Sequence, residues 1–168
     1  MFIEAKKIIG LPIAAMDAEA KVGEVRDLVF DPNNGNLLGL LVKMEGLLGP
    51  TLALSFIDIL EWDPNGIVTE SLENLVPASE IVRINEIIKN KIRLIGMSAR
   101  TESGKRLGIV QDLLIDTELS VIAKYYLKDL ISGLERVLPA DKVVRIEKEV
   151  IFTDDSAIIP TGVQNATA

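Results

Sequence analysis

Residues 21–31 read KVGEVRDLVFD, and residues 106–116 read RLGIVQDLLID. Five of the eleven positions are identical: Gly23/Gly108, Val25/Val110, Asp27/Asp112, Leu28/Leu113 and Asp31/Asp116. Four more keep their chemistry, and only Glu24/Ile109 and Arg26/Gln111 change character. The likeness extends both ways. Upstream, Ile9-Gly10 matches Ile95-Gly96. Downstream, LLGLLVKME (37–45) falls opposite IAKYYLK (122–128), and ALSFIDILEWDPNGIVTE (53–70) opposite VLPADKVVRIEKEVIFTD (137–154). A segment that recurs at this spacing is one structural unit of about 70 residues written twice.

Each unit reads as short strands. VRDLVFD and VQDLLID are β-branched and aliphatic runs that end at Asp. PNNGN, which follows the first, is turn chemistry with Gly35 free to take positive φ. The next run puts Leu38, Leu40, Val42 and Met44 on one face, so the two runs form an antiparallel hairpin. GIVTE and EVIFTD add a further strand to each unit. Short strands at close spacing predict a small antiparallel sheet or barrel, in which closure removes exposed edges. Between the units, Ile81, Ile84, Ile87 and Ile88 recur at helical spacing. They predict one helix over about Ala78–Asn90, with Pro77 in its first turn and an apolar stripe toward one or both units. The expected organisation is a first unit over 1–76, a helical linker over 77–91, a second unit over 92–156 and a flexible tail over 157–168.

Composition removes several chemistries. The 168 residues contain no Cys and no His, which excludes disulfides, thiolate metal sites and imidazole catalysis. Aromatic residues are 4%, so the core is aliphatic. The net charge of −7 is uneven. Residues 1–77 carry 5 basic and 12 acidic side chains, whereas residues 78–168 carry 13 of each. That map disfavours nucleic acid and anionic membrane surfaces, both of which need clustered Lys and Arg. The apolar run near the start is broken by Gly10 and Pro12 and recurs later in the chain, so it belongs to the fold and is not a leader. No stretch is long enough to span a membrane, and a cytoplasmic protein is expected.

The order Gly-x-Pro-Ile, VGEVRDLVFDPNNGNLLGLLV, a loop, then FIDILEWDPNGIVTE resembles the PRC-barrel domain, and LIGMSARTESGKRLGIVQDLLID resembles it again. The resemblance implies a mainly β protein of two small, highly bent antiparallel barrels joined by a helix, as a stand-alone tandem member. The family's known settings are photosynthetic reaction-centre H subunits and a ribosome maturation factor. No stretch here is long enough for the membrane helix of the first, and the Gly-x-x-Gly-Leu-x-Gly-Glu-Val stretch that marks the different, amino-terminal barrel of the second is missing from these residues.

Four acidic residues recur, Asp27/Asp112 and Asp31/Asp116. Paired carboxylates can hold a hard cation or do acid–base work. The plainer reading is that each accepts backbone N–H groups at a bend or turn. Gly23 and Gly108 are expected to permit a bend or bulge. No nucleophile, base and oxyanion site assemble, so no catalytic, cofactor-binding or metal residues are assigned. Contact surfaces are expected at two apolar loops, 46–54 and 130–138. Leu47, Leu48, Leu52, Leu130, Ile131 and Leu134 are the candidate partner-binding residues, with Trp62 as a possible anchor. The same leucines would also suit a core. The expected function is a non-catalytic adaptor that binds a protein partner or itself. The alternative, by analogy with the maturation factor, is an RNA-processing or ribosome-associated factor.

Overall fold

The computed structural model describes residues 1–158 apart from Glu45, Leu47 and Gly49. In chain order the strands and helices of the first half are β1 (Phe2–Glu4), α1 (Ala5–Ile8), β2 (Pro12–Ala15), β3 (Ala20–Phe30), β4 (Leu37–Met44), β5 (Leu52–Ser55), β6 (Ile59–Asp63), β7 (Gly66–Thr69), β8 (Leu75–Pro77) and α2 (Val82–Lys89). The second half adds β9 (Ser98–Thr101), β10 (Arg106–Asp116), β11 (Val121–Lys128), β12 (Glu135–Pro139), β13 (Val143–Ile146) and β14 (Val150–Phe152). The first sheet runs β6-β7-β2-β3-β4-β5-β8, and the second β13-β14-β9-β10-β11-β12. The chain is therefore mainly β, in two bent sheets whose first six strands share one order. Neither sheet is purely antiparallel. β2 pairs parallel with β7, and β9 parallel with β14. The chain reaches each of these pairings only after crossing the rest of its unit, as a parallel pairing requires.

The repetition extends to single hydrogen bonds. Gly10 N–H donates to Val25 O and Gly96 N–H to Val110 O, both at 2.8 Å. Val25 and Val110 donate to Leu11 O and Met97 O, both at 2.9 Å. The central hairpin of each unit bulges twice at matching places, once on its long strand and once on the partner strand. Pairing jumps from Val25/Val42 to Asp27/Leu41 and from Val29/Gly39 to Phe30/Leu37. In the second unit it jumps from Val110/Leu127 to Asp112/Tyr126 and from Leu114/Lys124 to Ile115/Ile122. Arg26 and Gln111 are thus the extra residues at the first bulge, and Leu38 and Ala123 at the second. A bulge shifts the alternation of a strand by one residue. This corrects the expectation that Leu38 shares a face with Leu40, Val42 and Met44. Leu38 packs on the α2 side, and Leu37 takes the inward place.

The interunit helix is shorter than its apolar spacing predicts. Residues 78–80 form a 3₁₀ turn, Ile81 is extended, and α2 starts at Val82. Pro77 ends β8, whose residues Leu75–Pro77 pair with Leu54–Leu52. A strand edge occupies what helical periodicity alone would assign to a first turn. Ile84 and Ile87 are buried against Val29, Ala53 and Ala78 of the first unit, whereas Val82 and Ile88 face solvent.

The two units share one core. A single cluster joins Ile13, Val25, Leu40 and Ile67 to Val110, Leu113, Tyr125 and Phe152. Two arms connect them. β1 pairs with β10 through Phe2/Asp116, Ile3/Ile115 and Glu4/Leu114, and Lys6 N–H donates to Asp112 Oδ1 at 3.1 Å. Conversely, the segment after α2 crosses to β3, where Arg93 Nε lies 2.9 Å from Asp27 Oδ2. The two turns also meet, with Asn36 bridged to Val121 and Leu37 N–H donating to Ser120 O at 2.8 Å.

Arg83 of α2 braces the first turn, its guanidinium 2.8 Å from Asp31 Oδ1. That bond, with the Asn33 N–H, holds the Asp31 carboxyl below the usual carboxylate range. A depressed pKa contributes stability in full above the unfolded value of about 3.9 and loses it as pH falls through the folded value. Arg83→Ala is therefore expected to lower the urea midpoint at pH 7, with the gap to the parent narrowing by pH 3. An equal gap at both pH values would contradict the assignment.

Candidate functional site

The sequence directs attention to the β4–β5 and β11–β12 connections, which are equivalent in the two units. The second is tightly built. Asp129 Oδ1 accepts N–H groups from Ile131 at 2.8 Å and Ser132 at 3.2 Å. The Asp129 N–H donates to Leu134 O, and Gly133 N–H returns to Asp129 O. Ser132 Oγ accepts the Leu134 N–H at 3.2 Å. The Ile131 and Ser132 N–H groups hold the Asp129 carboxyl below its ordinary range. Arg106 Nε stands 3.7 Å from its other oxygen. This pinned backbone turns its apolar side chains outward. Ile131 is 84% exposed and Leu130 61%, with Leu134 less so.

In the first unit Leu48 is fully exposed. Leu52 is half-buried against the core and lines an open cleft of about 510 Å³ with Arg26, Val42, Met44 and Pro50. Leu54, from the same loop stretch, is buried in the core. Leu47 lies outside the described residues. Trp62 on β6 is half-buried and packs against the core cluster, so it stands apart from both loops as a core cap. Ile57 and Leu60 are among the exposed apolar residues that escaped sequence reasoning. Ile57 is 85% exposed in the 3₁₀ turn after β5, and Leu60 is exposed on the edge strand β6. Alternation within FIDILEW does not reveal them, because the turn at residues 56–58 breaks the strand period.

The recurrent carboxylates all have partners within the chain. Asp27 accepts the Leu28 N–H and pairs with Arg93. Asp112 accepts the N–H groups of Leu113 and Lys6. Asp116 accepts those of Glu118 and Leu119, and Asp31 pairs with Arg83. Among the described residues no three acidic side chains come together as metal ligands. Among the same residues no helix is long and apolar enough to cross a membrane.

A residue found only in the structure is Tyr125. Its ring fills the second unit's core in T-shaped contact with Phe152, at 5.5 Å between centroids. The equivalent place in the first unit is Leu40. Burial pushes the phenol pKa well up, so the hydroxyl stays protonated at any ordinary pH.

The model of the PRC-barrel domain family fits residues 1–92. No curated protein matches the chain.

Proposed function

This chain belongs to the PRC-barrel domain family, and we propose on that premise that it is a cytoplasmic, non-catalytic adaptor carrying two PRC barrels. The second unit is a second copy. Its equal strand order and the paired bulges at Arg26/Gln111 and Leu38/Ala123 support that reading. The proposal of a binding role rests chiefly on the β11–β12 hairpin. An isoleucine 84% exposed on a backbone pinned by Asp129 presents apolar surface at little entropic cost on binding. Leu48 offers the same chemistry from the first unit. The non-catalytic reading is supported by the recurrent carboxylates, which are committed to backbone N–H groups and arginines. The occupant is a protein with a complementary apolar patch, a second copy of this chain included.

The test uses the full chain as bait in native lysate treated with nuclease, at two salt concentrations. The proposal predicts a protein partner that survives both treatments and falls at least tenfold with Ile131→Asp or Leu48→Asp, while circular dichroism stays unchanged. Capture of ribosomal proteins that disappear with nuclease or salt would instead favour an RNA-linked role.

A further inference from the structure

A second feature lies where the units meet. The turn after β3 and the strand β13 enclose a cleft of 140 Å³, lined among others by Asn33, Asn34, Ile122, Tyr125, Val143 and Arg145. A cavity of about 150 Å³ accommodates a molecule of roughly six non-hydrogen atoms. Tyr125 is 1% exposed, and its hydroxyl makes no hydrogen bond with any described residue. No sealed side-chain oxygen or nitrogen among the described residues lacks a partner. The hydroxyl therefore keeps some accessible surface, and the cleft is the one that Tyr125 lines. A buried donor left unmatched is costly unless something occupies the space beside it. The core itself does not need the hydroxyl, since Leu40 fills the equivalent place in the first unit.

We propose that this interunit cleft binds a small carboxylate, with the Tyr125 hydroxyl as the buried donor and Arg145 as the cation at its rim. The chemistry of the lining points to an acceptor. A neutral phenol donates. Asn34 Oδ1 already accepts the Asn36 N–H, so its amide NH₂ remains to donate. Arg145 adds a guanidinium, and no acidic side chain lines the cleft. A planar carboxylate suits one guanidinium and one hydroxyl, and charged acceptors make the stronger hydrogen bonds. Glu147 lies 3.4 Å from Arg145 Nε and offsets part of its charge, which weakens binding of an anion there. Because the lining comes from both units, an occupant also ties one unit to the other.

The chain has only two tyrosines, so ring-labelled tyrosine NMR reads the site directly. Sodium acetate is the probe, with sodium chloride at equal ionic strength and acetamide as controls. The proposal predicts a saturable shift of the Tyr125 ring signal with acetate and none with either control. In Tyr125→Phe, which keeps the ring, the apparent Kd read from the Asn33 and Asn34 backbone amides rises at least tenfold. Arg145→Gln raises it as well, and serves alone if the Phe variant does not fold. A Tyr125 signal that stays still, shifts equally with chloride, or binding unchanged in these variants would overturn the proposal.

Discussion

Gly108→Ala is expected to lower the free energy of unfolding by about 4 kcal/mol or more, measured by urea denaturation. Two independent costs add. Gly108 sits at φ +115°, a backbone state nearly closed to residues with a Cβ and worth about 1–3 kcal/mol of strain. A Cβ built there would lie 2.4 Å from Lys128 O and 2.7 Å from Asp129 N. Those atoms belong to the last residue of β11, paired with Ile109, and to the residue after it, so relief means parting the ladder beside the β11–β12 hairpin. The matching Gly23 tests the reasoning. Its Cβ would meet Lys43 O at 2.7 Å, yet its φ is ordinary. Gly23→Ala is therefore expected to cost about half as much, because the close contact remains while no left-handed backbone strain is added. Equal costs at the two sites would contradict this account, as would a loss below about 1 kcal/mol at Gly108.

Ile8→Ala is expected to cost about 3 kcal/mol, within the range for truncating a buried isoleucine. What distinguishes this prediction is where the loss is felt. Ile8 is fully buried at the end of α1, in the cluster common to both units. The arm that carries it continues from β1, which pairs with β10, and Lys6 reaches Asp112. By sequence the arm belongs to the first unit, but by contact it also braces the second. The variant should lower the unfolding midpoint seen by Trp62, on the first sheet, and by the two tyrosines, on the second, by the same amount. A shift confined to Trp62 would mean that α1 serves its own unit alone.

The repeat and its strands were legible because the same physical problem is solved twice. Gly23/Gly108 and Asp27/Asp112 recur where a long strand must bend and a carboxylate must take a freed N–H. The two positions that break the likeness also make sense afterwards. Arg26 and Gln111 are bulge residues outside the ladder, where identity is weakly constrained. Glu24 and Ile109 are half-buried on the central strand of each sheet, each opposite a lysine, Lys43 and Lys128. The second turn lacks a counterpart to Gly35, yet Ser120 adopts the same left-handed conformation, at φ 60° against 72°. A sequence reading keyed to glycine has no hold on that equivalence. The arms were illegible for another reason. Periodicity reports which residues seek a core, and Ile3, Ile8 and Leu94 do so, but it does not say whose core. Of the candidate contact residues, Leu48, Leu130, Ile131 and Leu134 reach solvent, whereas Leu52 and Trp62 are half-buried. Hydrophobicity alone separates neither group, because the difference lies in how Asp129 and Gly133 turn one loop outward.

The central structural claim is that two repeated units form one body. The most direct test is equilibrium unfolding in urea, followed at once by Trp62 fluorescence and by the ring signals of Tyr125 and Tyr126. A shared core and exchanged arms predict coincident transitions with one midpoint. Two separated transitions, with either sheet persisting while the other is lost, would contradict it.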